Sequence, residues 1–306
     1  MKDSKLKSEL VALYEKWIIH KLKYDDYRLK KKLGIPRIMT IDETLDYLLE
    51  HECAMSRFGD GELKIASGQS IRFQKYDAEL SLRLREILKS SSPKCLVCLT
   101  DIFDDISWMK TKSYEYTWRI MAEHRQEWTD MIDLSKVYGN TNITRFYMGH
   151  RNKENSARWF SQLKRIWTAK EIVLVEGEKS RLGYRNDLFK DVVSIERILC
   201  PARNAYSYYY QILNEVKKIK KNKLILIALG PTASVLAYDL SMLGYRALDV
   251  GHIDIEYEWF LQKATEKVKI EGKYTNEALN GDQVSDDVDD EYKGQVISRI
   301  GCNMEE

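Results

Sequence analysis

From residue 34 onward, short runs rich in β-branched residues alternate with longer stretches at helical spacing. The strand candidates are Cys53–Phe58, Lys94–Leu99, Glu171–Val175, Val193–Leu199, Lys223–Leu229 and Arg246–Val250. Helical spacing covers Glu79–Lys89, Ser107–Trp128, Asn155–Trp167 and Ala205–Lys221. This alternation predicts an α/β fold, a mostly parallel sheet with helices on both faces. No Pro/Gly/Ser-rich linker interrupts it, so residues 34–306 read as one domain.

Residues 1–33 stand apart. They hold ten Lys or Arg against five Asp or Glu, with Leu6, Leu10, Leu13, Tyr14, Trp17 and Ile18 at helical spacing. A basic amphipathic helix is expected, packing its apolar stripe on the body or on a second subunit, or attaching to an anionic membrane surface. At the other end, nine acidic and three basic residues follow from Lys273. Gln295–Ile300 could still form a final strand or helix turn folded back on the body.

The whole chain balances 49 basic against 47 acidic residues, which argues against a nucleic-acid partner. Its longest apolar run, Leu224–Leu229, falls far short of the roughly 18 residues that cross a bilayer. The lysine-rich start lacks an apolar signal core. A cytoplasmic place is expected, peripheral to the membrane if the first helix attaches there. Five cysteines are too few for a disulfide scaffold, and Cys95 and Cys98, three apart on a strand, point to opposite faces.

Parallel α/β sheets bind ligands at the carboxyl ends of their strands. Four such ends hold polar residues. After Cys53–Phe58 comes Gly59-Asp60-Gly61-Glu62, either a tight turn or a pair of carboxylates, Asp60 and Glu62, suited to Mg²⁺ or Mn²⁺; the glycines permit close approach of a ligand. After Lys223–Leu229 comes Gly230-Pro231-Thr232-Ala233, where Pro231 fits the first turn of a helix. Its amides and hydroxyls form a phosphate cradle or a plain strand–helix turn. After Arg246–Val250 comes Gly251-His252-Ile253-Asp254-Ile255-Glu256. If extended, it puts His252, Asp254 and Glu256 on one face, as a half-buried edge strand also would. After Glu171–Val175, a Gly-bounded loop presents Lys179, Arg181 and Arg185, to a diphosphate or only to solvent; Arg145 and Arg151 are further candidates.

Together, Arg57–Glu62, Glu176–Gly183, Gly230–Ala233 and Asp249–Tyr257 resemble, in the same order, the GT-D type glycosyltransferases, a bacterial family long catalogued as a domain of unknown function. The likeness runs from about Ile41 to Ile300. It implies a Rossmann-like single domain, a UDP-sugar donor of the UDP-glucose or UDP-galactose type, a divalent metal and an Asp-x-Glu motif, here Asp60-Gly61-Glu62. The acceptor implied is a glycan or glycoprotein in bacterial surface polysaccharide or glycoprotein assembly. On that basis Asp60 and Glu62 hold Mn²⁺ or Mg²⁺, while Arg57, Gly59, Gly61, Arg181 and Gly230 to Ala233 hold the donor. Asp254 or Glu256 deprotonates the acceptor hydroxyl with His252 beside it, a set of bases that leans toward inversion. Two other readings remain: a methyltransferase-like enzyme using S-adenosylmethionine, with Asp249 on a ribose, and a non-catalytic nucleotide- or glycan-binding subunit.

Overall fold

The computed structural model describes residues 2–302. Nine strands form one all-parallel sheet: β1 (Arg37–Ile38), β2 (Ala54–Phe58), β3 (Cys95–Leu99), β4 (Val137–Asn140), β5 (Glu171–Gly177), β6 (Ser194–Cys200), β7 (Leu224–Ala228), β8 (Ala247–Asp249) and β9 (Val296–Arg299). Their spatial order is β1-β4-β3-β2-β8-β7-β5-β6-β9. The six predicted strands are all present, and Val296–Arg299 closes one edge against β6. β1 and β4, short and partly polar, gave no periodic signal.

Strands β3, β5 and β7 read as largely apolar runs because helices cover both faces. Ile225 and Ile227 of β7 face one core while Leu224 and Leu226 face the other. The first core is closed by α3 (Asp60–Ala66), α4 (Ala78–Lys89), α5 (Thr111–Asp130), α7 (Tyr209–Val216) and α8 (Pro231–Met242). The second is closed by α2 (Ile41–His51), α6 (Ser156–Arg165) and α9 (Ile253–Leu261). A short α10 (Asp290–Gln295) leads into β9.

Two expectations are corrected. Residues 252–257 are not extended: β8 ends at Asp249, Gly251 turns the chain at φ +43°, and α9 begins at Ile253. The stretch satisfies both periods, since Ile253/Tyr257 and Ile255/Trp259 are also i, i+4 pairs. Acidic residues in its first turn suit the helix N-terminus.

The second concerns α1 (Lys2–Leu33). It packs on α5 through its carboxyl half, where the buried Asp26 and Arg125 pair and Lys30 reaches Asp104 at 3.6 Å. The apolar stripe does not face the body, because Leu10, Leu13, Tyr14 and Trp17 are all exposed. The Leu6 side chain lies outside the described residues. No helix among the described residues is long and apolar enough to cross a membrane. All five cysteines are free, and burial pushes the Cys95 thiol up to about 12, which removes a redox role for the Cys95/Cys98 pair.

Candidate functional site

The strand-end turns come together. β2 and β8 are neighbours at the centre of the sheet, and the connections from them depart in different directions, which opens a crevice at their carboxyl ends. Arg57, second to last in β2, sends its guanidinium across to β8. Nε donates to the Asp249 carbonyl at 2.8 Å and Nη2 to Asp249 Oδ1 at 2.7 Å. Ser234 on α8 completes the tie, donating its hydroxyl to the Arg57 carbonyl at 2.8 Å, while Ser56 donates to the Ser234 carbonyl at 2.8 Å. A β-carbon on Gly251 would stand 1.9 Å from Arg57 Nη2, so the side chain two residues before Gly59 fills the space at the Gly251 turn. Burial raises the Asp249 carboxyl, and Arg57 opposes that shift.

Glu62 lies against this buried pair. As the third residue of α3 it reaches back, and its Oε2 accepts the Gly59 N–H at 2.9 Å. Burial, then the nearby Asp249 carboxylate, pushes Glu62 up to about 7. Asp60 opens the same helix but faces elsewhere, since residues two apart on a helix do not face each other. It is half-exposed and meets Lys64 Nζ and Tyr116 Oη, both at 3.3 Å. The paired carboxylates are thus splayed over the first turn of α3. Gly61 has ordinary room around it, the nearest atom to an added β-carbon being Ile71 Cδ1 at 3.5 Å.

At the end of β7, Gly230 adopts φ +55° under the ring of Phe73, which a β-carbon would approach to 2.6 Å. Pro231 is the first residue of α8, and the Ala233 amide closes the turn on the Gly230 carbonyl at 2.8 Å. Thr232 is fully buried, yet its hydroxyl has no partner among the described residues. An orphaned donor at a helix N-terminus suits an anion.

The third turn divides its residues. His252 stays at the rim, its Nε2 3.3 Å from Glu277 Oε1. The same Glu277 oxygen meets Arg145 Nη2 at 2.5 Å, and Lys267 holds the other oxygen. Burial works to raise the Glu277 carboxyl, but Arg145, backed by His252 and Lys267, holds it well below the usual range. Asp254 and Glu256 are turned inward by α9. Asp254 accepts from Gly183 N–H at 2.9 Å, Asn186 Nδ2 at 2.8 Å and Lys273 Nζ at 2.7 Å. Glu256 Oε2 accepts the amides of Tyr147 and Met148 at 3.0 and 2.8 Å. Both carboxylates therefore brace neighbouring loops.

Arg181 is likewise an internal clamp. Buried at φ +51°, it donates to the carbonyls of Ser285 at 2.6 Å, Gly272 at 2.9 Å and Asp287 at 3.3 Å. Below it, Glu176 pairs with Arg197 at 2.5 Å and accepts the Leu182 N–H at 2.7 Å, which shapes the loop. Lys179 also grips the late segment, at Asp286, 3.2 Å away. The cations expected on a diphosphate hold residues 272–287 in place instead. Glu277 gave no sequence signal: it lies in an aperiodic polar stretch, and its partners come from three distant segments.

The family model described as the glycosyltransferase GT-D fold matches residues 55–278. A probable glycosyl transferase, Gly, of Streptococcus gordonii is 42% identical over 267 residues, 86% of this chain and 39% of that protein. The glycosyltransferase GlyD of Streptococcus pneumoniae serotype 4 is 41% identical over 274 residues, 89% of this chain and 33% of its own length. The chain thus spans a third to two fifths of these relatives. A solved structure described as a highly conserved domain of unknown function 1792 with a distinct glycosyltransferase fold superposes with a TM-score of 0.86 at 39% identity, covering 90% of this chain and all of that one. A second, described as a new glycosyltransferase from Streptococcus sanguinis, gives 0.82 at 41% identity, covering 87% and 99%. With the family match extending over most of a chain whose strand ends converge as described, the protein belongs to the GT-D glycosyltransferase family.

Proposed function

We propose that the protein moves a hexose from a UDP-sugar to a glycan or glycoprotein acceptor, with a divalent cation at the α3 end of the crevice. The observation that best supports a diphosphate donor is the buried, unpartnered Thr232 hydroxyl at the N-terminus of α8, beside the Arg57–Asp249 tie. An unpaired hydroxyl at the N-terminus of a helix stabilises the negative charge left on the departing diphosphate.

Glu62 offers a hard oxygen of the kind Mg²⁺ and Mn²⁺ prefer, and Asp60, on the outer side of the same turn, would reach such an ion only through a bridging water. Burial and the Asp249 carboxylate push Glu62 up although Arg57 lies near, so a bound cation would favour its ionised form. No cluster of three His, Cys, Asp or Glu exists among the described residues, so waters and phosphate oxygens would complete its coordination. A bound ion would neutralise charge on the leaving diphosphate.

His252 is the proton acceptor in this scheme, since Asp254 and Glu256 are engaged in bracing. Glu277 at Nε2 orients the ring. The acceptor hydroxyl gives its proton to His252 as its oxygen bonds the anomeric carbon and the bond to the diphosphate breaks, a single displacement with inversion. Asp249, which a methyltransferase would need on a ribose, is occupied by Arg57.

Thermal unfolding with UDP, UDP-glucose and UDP-galactose, with and without Mn²⁺, tests the reading, because a ligand that binds only the folded state raises the midpoint. Stabilisation by UDP that requires Mn²⁺, with slow UDP release from one sugar, is expected. Stabilisation by S-adenosylmethionine without metal, or UDP binding with no release from any donor, would overturn it.

A further inference from the structure

α1 is a two-sided helix. Ile19, Leu22, Asp26, Leu29 and Leu33 form the side turned to α5, partly or fully covered. The opposite side carries Leu10, Leu13, Tyr14, Trp17 and Tyr24, each more than half exposed. At 100° per residue these five fall within one narrow sector, which also holds Lys21 and Arg28. Lys21 Nζ rests 5.8 Å from the Trp17 ring. An exposed stripe of this kind on a soluble body marks a contact surface.

Charge identifies the occupant. Residues 1–33 carry ten basic and five acidic side chains, whereas residues 34–306 carry 39 basic and 42 acidic. The excess positive charge is thus concentrated on this helix. A second copy of the helix would bring like charge against it; an anionic bilayer would bring the opposite. Trp and Tyr with Leu, interleaved with Lys and Arg, is the composition that settles at the headgroup boundary.

We propose that the solvent side of α1 is a docking surface for anionic lipid, seating Leu13, Tyr14 and Trp17 at the headgroup boundary with Lys21 and Arg28 on the phosphates. The buried Asp26–Arg125 pair fastens the helix to α5, Lys30 ties it to Asp104 in the segment between β3 and α5, and α5 carries Tyr116 to within 3.3 Å of Asp60. Docking through α1 therefore fixes the crevice relative to the bilayer.

Flotation of the full chain with vesicles tests this. Vesicles of about 30% phosphatidylglycerol in phosphatidylcholine should bind at least about tenfold more tightly than phosphatidylcholine alone, and salt should weaken the binding. The double variant Leu13→Glu/Trp17→Glu should lose binding with an unchanged unfolding midpoint, because both side chains already face water. Lys21→Glu/Arg28→Glu, which keeps the apolar stripe, should lose the preference for the anionic lipid. Failure of the unaltered chain to float, or equal binding by the variants, would overturn the proposal. So would a vesicle-free dimer that Leu13→Glu/Trp17→Glu breaks, since a second copy would then be the occupant.

Discussion

The guanidinium of Arg57 fills the space where Gly251 would carry a side chain, with only 1.9 Å between Nη2 and the position of a β-carbon. Gly251→Ala must displace Arg57 and hold a non-glycine residue at φ +43°. The variant should fold with stability reduced by about 1–3 kcal/mol. Its kcat/KM should fall about 100-fold, the scale of a 1 Å misplacement near the reacting groups. Gly61→Ala is the control: its site is roomy and helical, so its unfolding midpoint should hold or rise, since Ala favours a helix by about 1 kcal/mol. Equal damage from both substitutions would refute the special role of Gly251.

Glu62→Gln and Asp60→Asn should each reduce turnover by about 100-fold or more while leaving the circular dichroism spectrum unchanged. Each should also abolish the Mn²⁺-dependent part of the stabilisation by UDP. If either variant turns over normally at limiting Mn²⁺, that carboxylate is outside the metal site.

Arg181→Ala should act on stability. Three backbone carbonyls lose their donor, at a cost of about 2–4 kcal/mol, and trypsin should then cut more readily within residues 272–287. Affinity for UDP in the remaining folded protein should change less than threefold. A stable variant with weakened UDP binding would return Arg181 to the donor site.

Acid sensitivity should centre on His150. Buried against Trp108 with ring centroids 4.5 Å apart, it is pushed down to about 4 by burial. The unfolded chain therefore binds the extra proton between about pH 6.5 and 4 while the folded chain does not. Stability is complete above that window and declines as pH falls through it, by about 3 kcal/mol. His150→Gln should flatten that slope in denaturant titrations at pH 7, 5.5 and 4.5. An unchanged slope would assign the acid sensitivity to other groups.

Strands β3, β5 and β7 were legible because burial on both faces leaves a short apolar run rich in Ile, Leu and Val. Legibility failed where one pattern served two structures, as at Ile253–Tyr257, and where the signal was capping chemistry rather than periodicity, as in the Thr40/Glu43 capping box that opens α2. Strand ends marked the place of the site. They did not distinguish a cation that meets ligand from one that meets the backbone: Arg181 and Arg57 look alike in sequence, and both are spent inside the protein. Glu277 was beyond reach because its role depends on Arg145, His252 and Lys267 meeting it in space.

Arg57 and Asp249 are 192 residues apart in the chain, yet their strands are neighbours. A ribosome must add nearly 190 residues after β2 before β8 can slot between β2 and β7. Until then both of those strands present open edges, the state most prone to wrong pairing. Nascent chains halted before residue 247 should be strong clients for chaperones, and this crevice should form only once β8 has joined the sheet.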